Sequence, residues 1–249
     1  MKKIIGLFML IVTLPLDILG QKKAVTADQI LAKVDGNIVS KERIIQSQMV
    51  IYGKRRNRTI VSKGYSKGNE KSFIEYLQPK RERGTKMLKL KNRLWIYSLS
   101  SDRTIQLSGH LLRQSVMGSD LSYEDVSNNE KYSALYHSKL IGEATFNERK
   151  AWVIDLVAKN DEVNYQKRKI WVDQERFIPL KEEMYAKSGQ KLKEVKVLDV
   201  MKIQSKWYPK VTNYKDVLKE GKGTDFIIES MELEATISED IFNKSSLKK

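Results

Sequence analysis

From Gln48 onward, apolar and polar residues alternate with a period of two through most of the chain. That spacing sends successive side chains to opposite faces of a strand. A first block contains the runs Gln48–Tyr52, Arg58–Lys67, Lys71–Leu77, Thr85–Leu90, Leu94–Leu99 and Arg103–Leu107. A second contains Ser138–Thr145, Ala151–Ala158, Tyr165–Asp173, Ile178–Tyr185, Lys191–Val200, Trp207–Asp216 and Thr224–Ala235. The separators are turn-like, among them Lys67-Gly68-Asn69, Lys91-Asn92-Arg93, Asn147-Glu148 and Ser188-Gly189-Gln190. Connections this short predict an up-and-down antiparallel meander, because parallel neighbours need crossovers of about a dozen residues.

Two stretches break the alternation. Asp28 to Gln46 has helical spacing and predicts two short helices split at Gly36-Asn37, capped by Asp28 and Ser40. The second break, Gly109 to about Asn129, separates the two strand blocks. Its centre, Val116 to Val126 (V-M-G-S-D-L-S-Y-E-D-V), carries a sharp turn at Met117-Gly118, an N-cap candidate in Asp120, and the S-x-x-D spacing of a capping box in Ser122 and Asp125. This predicts a short helical flap. The tail, Ile237 to Lys249, predicts one helical turn around Ile241-Phe242 and then a frayed basic end.

The alternation also says which strands are covered. In 86–91, Lys86, Leu88 and Leu90 oppose Met87, Lys89 and Lys91, the pattern of a sheet wetted on one face. In Leu94–Leu99 and Ala151–Ala158 both rows are apolar, so these strands are expected to be covered on both sides. The helices and the flap are the spare elements. The class predicted is mainly β with α, a strongly curved antiparallel sheet forming an incomplete, half-open barrel covered by short helices. No linker splits the chain, and 21–249 is expected to be one domain.

The 249 residues include no cysteine and two histidines, His110 and His137. This excludes disulfides, thiolate metal sites and cysteine nucleophiles. The net charge of +15, from 46 Lys and Arg against 31 Asp and Glu, favours contact with anionic surfaces. The basic residues are scattered along strands instead of clustered, so nucleic acid is not an expected partner. Met1-Lys2-Lys3 followed by the apolar run Ile4–Leu14 and Pro15 has the form of a signal peptide over 1–20. A soluble periplasmic protein is expected after its removal.

Asp120, Glu124 and Asp125 are carboxylates close enough to act as acid/base or metal groups, yet acidic residues belong at helix N-termini. No G-x-S-x-G, H-E-x-x-H or Walker sequence is present. The expectation is a non-enzyme without metal or cofactor.

The segments W-I-Y-S-L-S-S-D-R at 95–103, V-M-G-S-D-L-S-Y-E-D at 116–125 and K-W-Y-P-K at 206–210 resemble the outer-membrane lipoprotein-sorting proteins, the LolA-like group. F-I-E-Y-L-Q-P-K at 73–80 and G-T-K-M-L at 84–88 fit the same pattern, and the likeness runs from about Ile44 to Phe242. The resemblance implies a LolA/LolB-like carrier, a periplasmic chaperone holding lipoprotein acyl chains or another lipid in its half-barrel. It also implies an inner-membrane transporter and an outer-membrane acceptor as partners, alongside the anionic membrane surface suggested by charge. Leu88, Leu90, Trp95, Tyr97, Met117, Leu121, Trp152, Ile154 and Trp171 are the candidates for cargo contact. Gly118, Ser119, Asp120, Tyr123, Glu124 and Asp125 are those for fixing the flap or docking a partner. The competing expectation is a non-catalytic envelope scaffold, or a glycan-binding or partner-binding domain, with a solid core.

Overall fold

A computed structural model of the chain describes residues 25–38, 41–127 and 130–249; the export segment expected at 1–20 lies outside them. The alternating sequence forms one 13-stranded antiparallel sheet. Its first half is β1 (Glu42–Ile51), β2 (Arg58–Lys67), β3 (Lys71–Gln78), β4 (Lys86–Leu90), β5 (Arg93–Ser98) and β6 (Arg103–Leu107). Its second half is β7 (Tyr136–Phe146), β8 (Arg149–Ala158), β9 (Lys167–Asp173), β10 (Pro179–Tyr185), β11 (Lys191–Ile203), β12 (Lys206–Asp216) and β13 (Thr224–Leu233).

The order across the sheet is β6-β5-β4-β3-β2-β1-β13-β12-β11-β10-β9-β8-β7. Two meanders meet where β1 pairs with β13, with Ile45 opposite Met231 and Met49 opposite Phe226. The free edges, β6 and β7, are consecutive in the sequence and do not pair, so the curved sheet stays an open half-barrel. Residues 108–135 therefore have to carry the chain from one edge to the other. Their described residues, 108–127 and 130–135, lie across the inner face.

α1 (Ala27–Ile38) covers the inner face at the β7 side. Its start is a capping box: Gln29 N donates to Thr26 Oγ1 at 3.2 Å, and Thr26 N donates to Gln29 Oε1 at 3.0 Å. Thr26 thus does the capping expected of Asp28, whose carboxylate instead accepts from Ser138 Oγ. Ile30, Leu31 and Val34 form one stripe, each at most 1% exposed, against Ile154, Leu156, Ile170 and Val172 of β8 and β9. Burying each contributes about 2 kcal/mol. The second helix expected from Ser40 to Gln46 does not form, because Glu42 to Gln46 are the first half of β1. Ile44 and Ile45 lie on opposite faces of a strand covered on both sides, which in sequence resembles a helical stripe.

The outer face of β3–β5 is covered by the C-terminal tail. Two 3-10 turns, Glu239–Phe242 and Lys244–Leu247, place Phe242 and Leu247 on Phe73, Leu88, Trp95 and Tyr97. Glu239 bridges Lys67 at 2.7 Å and Lys71 at 2.8 Å. Leu247 is 1% exposed, so the tail is packed to that point rather than frayed, and β4 is covered on both faces rather than wetted on one. Among the described residues, no helix is long and apolar enough to cross a membrane.

Candidate functional site

Inner-face packing comes in two blocks with a gap between them. On one side Met49, Ile60, Met87, Leu94 and Ile96 pack against Val116 and Leu121 of the flap. On the other, α1 seals β7–β9. Between them, over β10–β13 and β1, lies a cavity of about 310 Å³. Ile45, Val197, Phe226, Ile228 and Met231 form its apolar floor, and Val34, Leu121 and Val126 roof it. A smaller space of about 90 Å³ continues from it over β1–β3, sharing Arg43, Ile45, Val126 and Phe226 as walls. The inner row there is small, with Ser47, Ser62, Gly64, Ser66 and Ser72. Side chains of this size leave the volume open, whereas a solid core would fill it.

The flap is a stapled strap across one end of the sheet. After Met117 (φ 51°) and Gly118 (φ 75°), both left-handed, the chain turns back and Val116 N donates to Leu121 O at 2.9 Å. Glycine suits that second position, since a Cβ is disfavoured there. Arg58 Nη2 holds Met117 O at 2.7 Å, and Lys219 Nζ reaches Ser115 Oγ at 3.1 Å and also Ser119 O. Asp120 is buried and clamps two strand ends: Thr224 Oγ1 donates to its Oδ2 at 2.8 Å, and Asp216 N to its Oδ1 at 3.0 Å. It is therefore a tertiary staple and not a helix cap.

The cap of α2 (Tyr123–Ser127) is the S-x-x-D box read from the sequence. Asp125 N donates to Ser122 Oγ at 3.2 Å and Ser122 N to Asp125 Oδ2 at 2.8 Å. Asp125 also accepts from Tyr165 Oη at 3.1 Å and from the ammonium of Lys193 on β11. Tyr123 is half-buried beside the Tyr76 cluster. The next short helix, α3 (Tyr132–Leu135), is capped from outside: buried Asp35 of α1 accepts from Tyr132 N at 2.8 Å and Ser133 N at 3.1 Å. An anion at a helix start is favourable.

Under α2 and α3 the cavity leads into a polar side chamber of about 150 Å³, with Asp125, Tyr132, Glu182 and Tyr214 common to both spaces. Arg168 Nε donates to Tyr136 Oη at 2.8 Å and Nη1 to Glu182 Oε2 at 3.1 Å. Tyr132 Oη also donates to Glu182. The guanidinium lies 5.1–5.7 Å from the ring centres of Tyr132, Tyr136 and Tyr165. Burial pushes the Tyr132, Tyr165 and Tyr214 phenols up, so they stay neutral. Glu124 is also in this wall. Its Oε2 is buried without a hydrogen-bond partner, and burial together with the Asp125 carboxylate pushes its pKa up to about 7, against the pull of Arg168, Lys89 and Arg113.

The structure separates the expected cargo residues. Leu121 roofs the cavity; at 2% exposed it is also core. Met117 packs at the flap end of the same inner cluster. Ile154 and Trp152 share the inner face but lie in the block sealed by α1. Leu88, Leu90, Trp95 and Tyr97 are on the outer face under the tail, and Trp171 is on the outer row of β9, beneath the Lys181 ammonium at 4.5 Å. The physical reason, for β4 and β5, is that both rows are buried, so alternation did not distinguish inside from outside. The missed residues are Arg43, Arg168, Glu182 and Lys193. A signal was present for two of them, since Arg168 shares a row with Ile170 and Val172, and Lys193 with Val195 and Val197.

The fold is that of a half-barrel closed by a strap and a helix. A LolA superfamily protein from Nitrosomonas europaea is 27% identical, with 90% of this chain and 100% of that chain covered at a TM-score of 0.77. A DUF1329 family protein from Desulfovibrio piger is 22% identical, with 88% and 96% covered at 0.80. A domain from Vibrio parahaemolyticus, assigned to the outer membrane lipoprotein-sorting proteins, is 21% identical, with 88% and 97% covered at 0.77. No curated protein sequence matches. A family model described as uncharacterized protein matches residues 68–249. The chain belongs to the family that this model describes, and its fold is LolA-like.

Proposed function

We propose that this protein is a non-catalytic periplasmic carrier that holds the acyl chains of a lipoprotein, or of another lipid, in the cavity between flap and α1. The observation that carries this reading is the apolar inner-face cavity of about 310 Å³, continued over β1–β3 by a smaller space that an inner row of small residues leaves open. An acyl chain moved from water into it gains about 0.8 kcal/mol per methylene. A solid-core scaffold would have no use for that space.

A transporter at the inner membrane would load the carrier and an acceptor at the outer membrane would unload it. Approach to an anionic membrane is supported by the flap end of the sheet, where the β1–β2 loop carries Lys54, Arg55 and Arg56 and the β12–β13 loop exposes Leu218. Each basic residue near such a surface adds about 1 kcal/mol, so vesicle association should weaken with salt.

The test is native mass spectrometry of protein taken from its own envelope by mild extraction. A co-purifying lipid of defined mass is expected. Protein that is ligand-free and also fails to bind added fatty acyl chains would overturn the reading.

A further inference from the structure

The side chamber has a composition unlike the apolar cavity it joins. Four carboxylates line it, from Glu124, Asp125, Glu130 and Glu182, with Arg168 as the basic residue in its wall. Four tyrosines, Tyr132, Tyr136, Tyr165 and Tyr214, complete the polar lining. Glu182 is paired with Arg168 at 3.1 Å, and Asp125 with Lys193. Glu124 Oε2 is buried and accepts from nothing. A buried acceptor left this way costs about 1–3 kcal/mol, a cost that a donor arriving with a ligand would remove. The rings of Tyr132, Tyr136 and Tyr165 already meet the Arg168 guanidinium, so Glu124 Oε2 is the acceptor open to an incoming charged donor.

Glu124 also sits where spaces meet. It lines the side chamber and an outer cleft of about 470 Å³ formed with Arg113, Asn164 and Lys187. A ligand whose chain lies over Phe226 and Ile228 would thus place its polar end in the chamber, beside Glu124.

We propose that the chamber is a headgroup subsite for a primary ammonium, the donor for Glu124 Oε2, on an amphiphile whose apolar chain occupies the adjoining cavity. This rests on the carrier reading and adds which polar end the carrier prefers. The groups acting on Glu124 are Asp125 on its own helix, Arg168 on β9, Lys89 on β4 and Arg113 before the flap. Because the carboxyl must be ionised to pair with ammonium, amine binding should strengthen from about pH 6 to about pH 8.

The experiment uses the whole protein, delipidated and titrated below the micellar range with dodecylamine, dodecanol and dodecanoate, with binding read by native mass spectrometry. At about pH 8, dodecylamine should bind at least about tenfold more tightly than either other probe. Glu124→Gln, an isosteric change, should remove that preference and its pH dependence while leaving dodecanol binding unchanged. Equal binding of all three probes, or an amine preference that survives in E124Q, overturns the subsite but leaves the carrier. Binding of none overturns both. Lauroyl lysophosphatidylethanolamine is the fourth probe. Its retention beside dodecylamine would assign the ammonium to a phosphoethanolamine headgroup; retention of dodecylamine alone would assign it to a free aliphatic amine. Either outcome supports the proposal.

Discussion

Lys193 on β11 and Asp125 at the start of α2 form an ion pair in which each side chain is 6% exposed. The same carboxylate caps its own helix through Ser122 and accepts from Tyr165. One residue thus fixes the helix, the strap that carries it and the sheet beneath. Removing one partner of a buried pair leaves an uncompensated charge, costing about 3–5 kcal/mol.

Lys193→Met should therefore destabilise the protein by about 3 kcal/mol in urea unfolding, toward the lower end because Tyr165 and Ser122 still serve Asp125. Adding Asp125→Asn should recover part of the loss, since the orphaned charge is then gone. Additive losses in the double variant would show that the two residues do not act as a pair.

Glu124 predicts a pH trend in stability. Its folded pKa of about 7 lies above the ordinary 4.5, so the folded state binds this proton more tightly than the unfolded chain. Stability from this group is greatest at low pH and falls as pH rises from about 4.5 through about 7. Glu124→Gln should leave stability nearly unchanged near pH 4.5 and raise it by on the order of 1–2 kcal/mol near pH 8. Thermal unfolding of both proteins across that range measures it. A constant difference between them would place the carboxyl in solvent.

The strand pattern was legible because period two is local and the turns between strands are short. The S-x-x-D box at Ser122 and Asp125 was legible for the same reason. Asp120 was not: its partner Thr224 is 104 residues away, and nothing near Asp120 announces it. Inside and outside were also hidden. Leu94 and Ile96 face the flap while Trp95 and Tyr97 face the tail; both rows are apolar, and only the docking of Phe242 and Leu247 decides between them. The cavity's extension over β1–β3 was written in small residues, Ser47, Ser62, Gly64 and Ser72, which in a strand read simply as polar or neutral.

Thr224→Val tests the strap's anchor. The exchange keeps the shape but removes the hydroxyl that donates to Asp120 Oδ2 and accepts from Asp120 N. Leaving these buried groups unanswered should cost about 1–3 kcal/mol. Hydrogen exchange should then quicken at the Val116 and Ser119 amides, whose bonds close the turn, while β8 and β9 under α1 keep their protection. Uniformly faster exchange would mean that Asp120 supports the whole sheet and not the strap.

The two faces of the sheet can be separated by a pair of substitutions. Trp95→Ala removes an outer-face ring packed beneath the tail and the Lys244 ammonium, 4.4 Å from its centre. It should cost about 3–5 kcal/mol and, at temperatures where the protein stays folded, leave acyl-chain binding unchanged. Ile228→Trp fills inner-face space that is already empty. Its stability should move by no more than about 1–3 kcal/mol, while acyl-chain binding falls by at least about tenfold. Direct titration of a fluorescent fatty acid against both variants decides. The crossed result, binding lost in W95A and kept in I228W, would put the ligand under the tail and return Leu88, Trp95 and Tyr97 to the role expected from the sequence.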